Sequence, residues 1–176
     1  VIEGDALKTN FTTLAVDPRV IIANLPYNIG TQLLIDWLHQ MPDAYRSMTL
    51  MFQAEVAERI TAKPNSKAYG RLSVLAQFCC EVKQVMTLPA SAFTPPPKVN
   101  SAVVHLTPRR DRPVDIDLHK LENLTAAAFG QRRKMLRSSL KSFGGEALLK
   151  RADINPEMRA ENLSLAEFER LVREVG

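Results

Sequence analysis

Val20-Ile21-Ile22-Ala23 is a short run that is wholly apolar and rich in β-branched side chains. Such a run suits a strand covered on both faces, because branched side chains pack well on a pleated sheet and no position is reserved for water. Asn24 stands at its carboxyl end. From Thr31 the pattern changes: Leu34, Trp37, Leu38 and Met41 share one helical face, and Pro42 stops the segment. The chain must therefore hold a strand, a loop and a helix in quick succession. A second apolar run covers residues 48–52, followed by helical character over 54–60 and a polar loop over 63–70. A helix over 72–78 and strands over 82–88 and 101–106 complete this half, with a proline-rich loop over 89–97 between the two strands. Alternating strands and helices imply an α/β sheet. The last two strands have no helix between them, so they should pair antiparallel as a hairpin at one edge.

Residues 108–113 are polar, with two prolines and three arginines, and everything beyond them reads as helix. A boundary placed there gives a sheet domain over 1–107 and a small all-α domain over 108–176. A helix over 118–129 follows Asp117 as N-cap, and a second helix carries Leu136 and Leu140 inward. In the last helix Ser164 and Glu167 form a capping box. Leu163 and Phe168 occupy staple positions ahead of Leu171, Val172 and Val175.

Composition narrows the classes of function. Twenty-three Lys and Arg against 19 Asp and Glu leave a charge of +4, which favours an anionic partner such as nucleic acid. No apolar run reaches the roughly 18 to 20 residues of a membrane span, and no basic segment with an apolar core opens the chain, so membrane insertion and export are not expected. Cys79 and Cys80 are adjacent, which fits neither a zinc spacing nor a disulfide framework, and a reducing cytoplasm is the simplest setting. His39, His105 and His119 show no metal spacing, so no metal is expected.

The chemistry concentrates at Asn24-Leu25-Pro26-Tyr27. Ligands of open α/β sheets bind beyond the carboxyl ends of the strands, where this run lies. An asparagine side-chain oxygen and the Leu25 carbonyl are two acceptors that a rigid loop can aim at the two hydrogens of an amine. Pro26 stiffens the loop, and Tyr27 offers a flat ring for a base to stack on. The same residues could also make a simple turn with a tyrosine packed at the strand end.

The run resembles the motif of the adenine-N6 methyltransferases, and more closely that of the small-subunit ribosomal RNA adenine dimethyltransferases, the kasugamycin-resistance enzymes of bacteria. Phe93-Thr94-Pro95-Pro96-Pro97-Lys98-Val99-Asn100-Ser101 is similar to the family's loop before the last strand, which implies that Phe93 packs on the target base opposite Tyr27. Without that likeness the loop would read as a stiffened connector with Phe93 in the core. Gly4-Asp5-Ala6-Leu7 resembles the turn whose aspartate contacts the adenine of S-adenosylmethionine, and Asn24 would adjoin the same cofactor. From Phe129 to Leu140 the tail resembles the bacterial members' basic helix entry, and residues 155–163 resemble their closing motif. Arg132, Arg133, Lys134, Arg137 and Lys141 are then the candidates for RNA contact. Arg133, Arg137 and Lys141 would share one helical face, opposite Leu136 and Leu140; a merely solvated face is the alternative.

The resemblance implies a Rossmann-like class I methyltransferase sheet followed by a small helical domain. The implied activity is S-adenosylmethionine-dependent N6,N6-dimethylation of adjacent adenosines in small-subunit (16S) rRNA. It also implies small-subunit particles as partners and a cytoplasmic, monomeric enzyme. The family's glycine-rich cofactor loop and the acidic end of its second strand have no counterpart in the sequence. The chain is therefore expected to be a C-terminal part of its protein, binding S-adenosylmethionine weakly or not at all on its own. Two rivals are a large-subunit rRNA dimethyltransferase of the antibiotic-resistance type and a non-enzymatic RNA-binding or ribosome-assembly module.

Overall fold

The alternation over residues 20–53 is realised as strand β1 (Val20–Asn24), helix α1 (Gly30–His39) and strand β2 (Ser47–Gln53). Helices α2 (Ala54–Thr61) and α3 (Arg71–Cys79) follow, then strands β3 (Cys80–Leu88) and β4 (Ser101–Pro108). This is a computed structural model, and it describes residues 1–175. The four strands form one sheet in the order β1-β2-β4-β3. β1 and β2 are parallel, with Asn24 opposite Met51, while β4 runs antiparallel to both β2 and β3. The expected hairpin is present, but its second strand enters the sheet between β2 and β3.

Burial along β2 alternates strictly. Met48, Leu50 and Phe52 are 0–3% exposed, as are Ala102, Val104 and Leu106 on β4, so one face of the sheet is core. From the helices, α1 contributes Leu33, Leu34, Trp37 and Leu38 to the core, and α2 contributes Ala57 and Ile60. On the opposite face, Thr49 Oγ1 and His105 Nδ1 lie 2.8 Å apart, so His105 is held by a cross-strand hydrogen bond.

β1 departs from the expectation of a strand buried on both faces. It pairs with β2 alone, stands at the sheet's edge, and leaves Val20 52% and Ile22 81% exposed. An apolar composition reports what a strand tolerates. Coverage depends on which elements reach each face, and here the residues on the Val20 side are uncovered.

The chain divides into two compact units: Val1–Thr61 with Cys79–Arg110, and Ala62–Phe78 with everything from Asp111 onward. The chain passes between them three times, after Thr61, Phe78 and Arg110, and the last of these lies near residue 108. The first two crossings differ from the sequence expectation, because residues 62–78, which include the polar loop and most of α3, belong with the helical tail. The reason is visible in that unit's bonds. The Tyr69 hydroxyl donates to the Leu163 carbonyl at 3.0 Å, and the Asn65 N–H donates to the Glu161 carbonyl at 2.8 Å. Asn162 Nδ2 donates to Asn65 Oδ1 at 2.9 Å. The rings of Tyr69 and Phe129 meet edge-on at 5.9 Å, and Phe129 stacks on Phe168 at 5.8 Å.

The tail's own elements are α4 (Leu118–Gly130), α5 (Leu136–Ser139), α6 (Gly145–Arg151) and α7 (Leu165–Glu174). The Asp117 side chain accepts the His119 N–H at 2.8 Å and so caps α4. At the start of α7 the Ser164–Glu167 box is closed in both directions, and Leu163 and Phe168 are fully buried beside it. None of the described helices is long and apolar enough to cross a membrane.

Candidate active site

β1, β2 and β3 all deliver their carboxyl ends to the edge of the sheet where β4 begins. Gln53 at the end of β2 and Leu88 at the end of β3 both pair with Ser101, and Asn24 lies two strands away in the same register set. The Asn24 loop and the Phe93 loop therefore meet the same end of the sheet.

The loop from Asn24 to Tyr27 is held at several points while its two acceptors stay open. Leu25 is buried at 5% exposure, and the Pro26 carbonyl accepts N–H bonds from Ile29 at 3.2 Å and Gly30 at 2.9 Å, leading the chain into α1. Tyr27 is half-exposed, and its hydroxyl lies 2.8 Å from Ser101 Oγ, which is fully buried. Among the described residues, neither the Asn24 side-chain oxygen nor the Leu25 carbonyl has a hydrogen-bond partner. A pair of unoccupied acceptors on a fixed loop is what an incoming amine requires.

Gly30 is a residue that sequence reasoning passed over. A Cβ built there would stand 3.2 Å from the Leu25 Cβ and 3.6 Å from the Phe52 ring, so the close approach of α1 to the loop needs glycine. Its signal was a glycine opening a helix immediately after the motif. Gly30→Val is expected to overpack this contact, costing roughly 1–3 kcal/mol and displacing Leu25. Thermal unfolding would show the first effect and methyl-transfer turnover the second; an unchanged variant on both counts would contradict the close approach.

Phe93 is partly buried, and its N–H donates to the Ala90 carbonyl at 3.2 Å across a 3-10 turn over Ala90–Ala92. Asn100 Oδ1 accepts the Ala90 N–H at 3.0 Å, and the Asn100 carbonyl accepts the Ala54 N–H at 2.9 Å. The same two residues, Asn100 and Ser101, thus secure the Phe93 loop, the Tyr27 ring and the junction of β2 with α2.

Asp5 sits in an exposed turn, where its carboxylate accepts the Leu7 N–H at 3.0 Å and lies 3.6 Å from Lys8 Nζ. The adjacent Ala6 lines a cleft of about 410 Å³ together with Asn24, Leu25, Pro26, Phe11 and Trp37. Trp37 is fixed there, edge-on to Phe11 at 5.3 Å.

The basic residues of the tail do not form the single helical stripe expected of them. Arg132, Arg133 and Lys134 occupy a turn after α4, Arg137 is in the one-turn α5, and Lys141 opens a 3-10 turn over Lys141–Phe143. The helix is interrupted because the Leu136 and Arg137 N–H groups are claimed by the Met158 and Pro156 carbonyls, at 2.8 and 3.1 Å. Leu136 and Leu140 are nevertheless fully buried, as the sequence implied. Arg132 is committed within its own unit: Nε donates to Glu161 at 2.9 Å and Nη2 to the Lys67 carbonyl at 2.8 Å. Arg133, Lys134 and Lys141 are exposed, and Arg137 is exposed with a 3.8 Å pairing to Glu157.

Comparison with known proteins identifies the chain's relatives. Over 174 residues the chain is 59% identical to the ribosomal RNA small subunit methyltransferase A of Allorhizobium ampelinum, a match spanning 97% of this chain and 63% of that protein. Its likeness to the enzyme of the same name from Mesorhizobium japonicum is 57% over 183 residues, covering 99% and 65%. The chain thus spans a little under two thirds of these relatives. The solved dimethyladenosine transferase from Plasmodium falciparum superposes with a TM-score of 0.84 at 28% identity, over 98% of this chain and 70% of that one. The 23S rRNA methyltransferase ErmE, at 22% identity and a TM-score of 0.68 over 99% and 70% of the two chains, shares the fold. The sheet is therefore the Rossmann-like sheet of these methyltransferases. Residues 1–175 match the family described as ribosomal RNA adenine dimethylase, and the chain belongs to that family.

Proposed function

We propose that this protein dimethylates N6 of adjacent adenosines in small-subunit (16S) ribosomal RNA. The observation that carries the reading is the fixed loop at the end of β1, whose Asn24 oxygen and Leu25 carbonyl are unoccupied beside the half-exposed Tyr27 ring. An adenine amine is a poor nucleophile because its lone pair is delocalised into the ring. Acceptors at Asn24 Oδ1 and the Leu25 carbonyl would take one N–H each and draw the nitrogen toward tetrahedral geometry, restoring the lone pair. Tyr27 and Phe93 would hold the flipped base by stacking, with Pro26 keeping the loop rigid.

S-adenosylmethionine, when bound, supplies an electrophilic methyl group. The residues present suit it: Asp5 keeps exposed carboxylate lone pairs for an amine, and the cleft beside Ala6 runs to Asn24. Holding the base at bonding distance supplies much of the remaining rate. The amine proton leaves to solvent once the nitrogen has become cationic.

The helical unit would supply affinity through Arg133, Lys134, Arg137 and Lys141 on RNA phosphates, while base identity is read in the pocket. Replacing Arg133 and Lys134 with Ala should weaken binding to small-subunit particles and lower the slope of log affinity against log salt by about 1 for each phosphate no longer engaged. Arg132→Ala should instead lower the melting temperature, because its bonds to Glu161 and Lys67 are internal.

The deciding experiment offers the full-length protein isolated small and large ribosomal subunits with labelled S-adenosylmethionine and identifies the modified nucleoside. Label in small-subunit RNA as N6,N6-dimethyladenosine is the expected result. Label confined to large subunits would favour the antibiotic-resistance type, and binding of small subunits without transfer would favour an assembly module.

A further inference from the structure

Ser101 is a buried polar residue with one visible task. Its side chain is fully enclosed at 0% exposure, and its Oγ meets the Tyr27 hydroxyl at 2.8 Å. Tyr27 as a whole is 41% exposed, so the bond ties a ring that otherwise faces solvent to the interior. The bond therefore acts on the ring. A ring attached only through its Cβ can swing about two side-chain torsions. A second attachment at its far end fixes its plane. The anchor is also rigid: Ser101 opens β4, which is paired on both sides, by β2 and by β3.

The neighbouring residue does the same for the other side of the site. Asn100 Oδ1 holds the Ala90 N–H at the start of the turn that carries Phe93, and its carbonyl holds the Ala54 N–H at the start of α2. Tyr27 and the Phe93 loop are thereby referenced to consecutive residues of one strand end.

From this we propose that Ser101 is a positioning residue for methyl transfer. By fixing the plane of the Tyr27 ring, it sets the pose in which the target adenine meets Asn24 and the Leu25 carbonyl, and Asn100 sets the Phe93 side of the same frame. The inference rests on the methyltransferase reading above and adds to it a residue that never touches substrate. Its expected signature is a loss of turnover without a loss of substrate affinity, because a misplaced base is still bound but is presented poorly.

The test is a double-mutant cycle in the active enzyme, using small-subunit particles and S-adenosylmethionine, with Ser101→Ala, Tyr27→Phe and the double variant. Tyr27→Phe keeps the ring but leaves the buried Ser101 Oγ without this partner, so the melting temperature of every variant is measured beside kcat. Each single variant should lower kcat roughly 10- to 100-fold with KM for particles within about twofold, and the double variant should be no worse than either single one. Normal kcat in Ser101→Ala, fully additive losses, or a defect confined to KM or to melting temperature would each overturn the role. A full-length wild-type protein that methylates neither subunit overturns the functional reading, and this role with it. An active wild type with an indifferent Ser101→Ala overturns this role alone.

Discussion

Asn24→Ala is expected to lower methyl-transfer turnover on the order of 10²- to 10³-fold, the usual loss when one preorganised hydrogen-bonding group is removed from the point where charge develops. Binding of small-subunit particles should change little, since the affinity is assigned to the basic surface of the helical unit. The variant should also fold normally. Asn24 is exposed at the end of an edge strand, and its side chain makes no bond within the described residues, so removing it leaves neither a cavity nor an orphaned partner. Turnover and particle binding measured side by side provide the check. Turnover within about threefold of wild type would remove Asn24 from the chemistry and reduce the motif to a structural turn.

The largest expected effect on stability is that of Tyr69→Ala, on the order of 3–5 kcal/mol, the range for removing a large buried aromatic side chain. Tyr69 is 1% exposed, packs edge-on to Phe129, and donates to the Leu163 carbonyl, so it joins residues 62–78 to the closing segment of the helical unit. Tyr69→Phe should cost only about 0.5–1.5 kcal/mol through the missing hydrogen bond. Both variants also lose a pH dependence that the wild type has, since neither carries the phenol. Burial is the main cause that raises the Tyr69 phenol well above its ordinary range, with Glu167 adding to it.

A raised folded-state value means that the stabilisation is complete below about pH 10, where the unfolded phenol is still neutral. It is lost as pH rises from there toward the folded-state value, because the unfolded chain ionises first. Denaturant unfolding of the wild type should therefore show an alkaline decline that Tyr69→Phe flattens. An identical decline in both proteins would assign it to other groups.

Much of the local structure was legible because it depends on neighbours in sequence. The Asp117 cap and the Ser164–Glu167 box involve residues two and three positions apart, and β-branched composition marks β1 wherever its partners lie. The Asn24 motif was legible for a similar reason: four consecutive residues carry both acceptors, the stiffener and the ring. Phe93 and Asp5 could be nominated only through resemblance to a family, since a phenylalanine in a proline-rich loop and an aspartate in a turn carry no distinctive period. The basic tail was misjudged in form. Helical spacing from Arg133 to Lys141 assumed an uninterrupted helix, whereas carbonyls from residues 156 and 158 compete for the amides that would have continued it.

By itself, then, the sequence determined the order of strands and helices, the caps, the edge hairpin and the loop that carries the two acceptors. These follow from periodicity and from interactions within a turn or two. Only the tertiary structure decided that β4 enters between β2 and β3, that Ser101 reaches Tyr27 across 74 residues, and that Tyr69 reaches Leu163 across 94. It likewise decided that Arg132 serves its own unit while Arg133 and Lys134 remain exposed. Such pairings arise because buried polar groups must find partners wherever the fold brings them, and sequence separation does not restrict that choice.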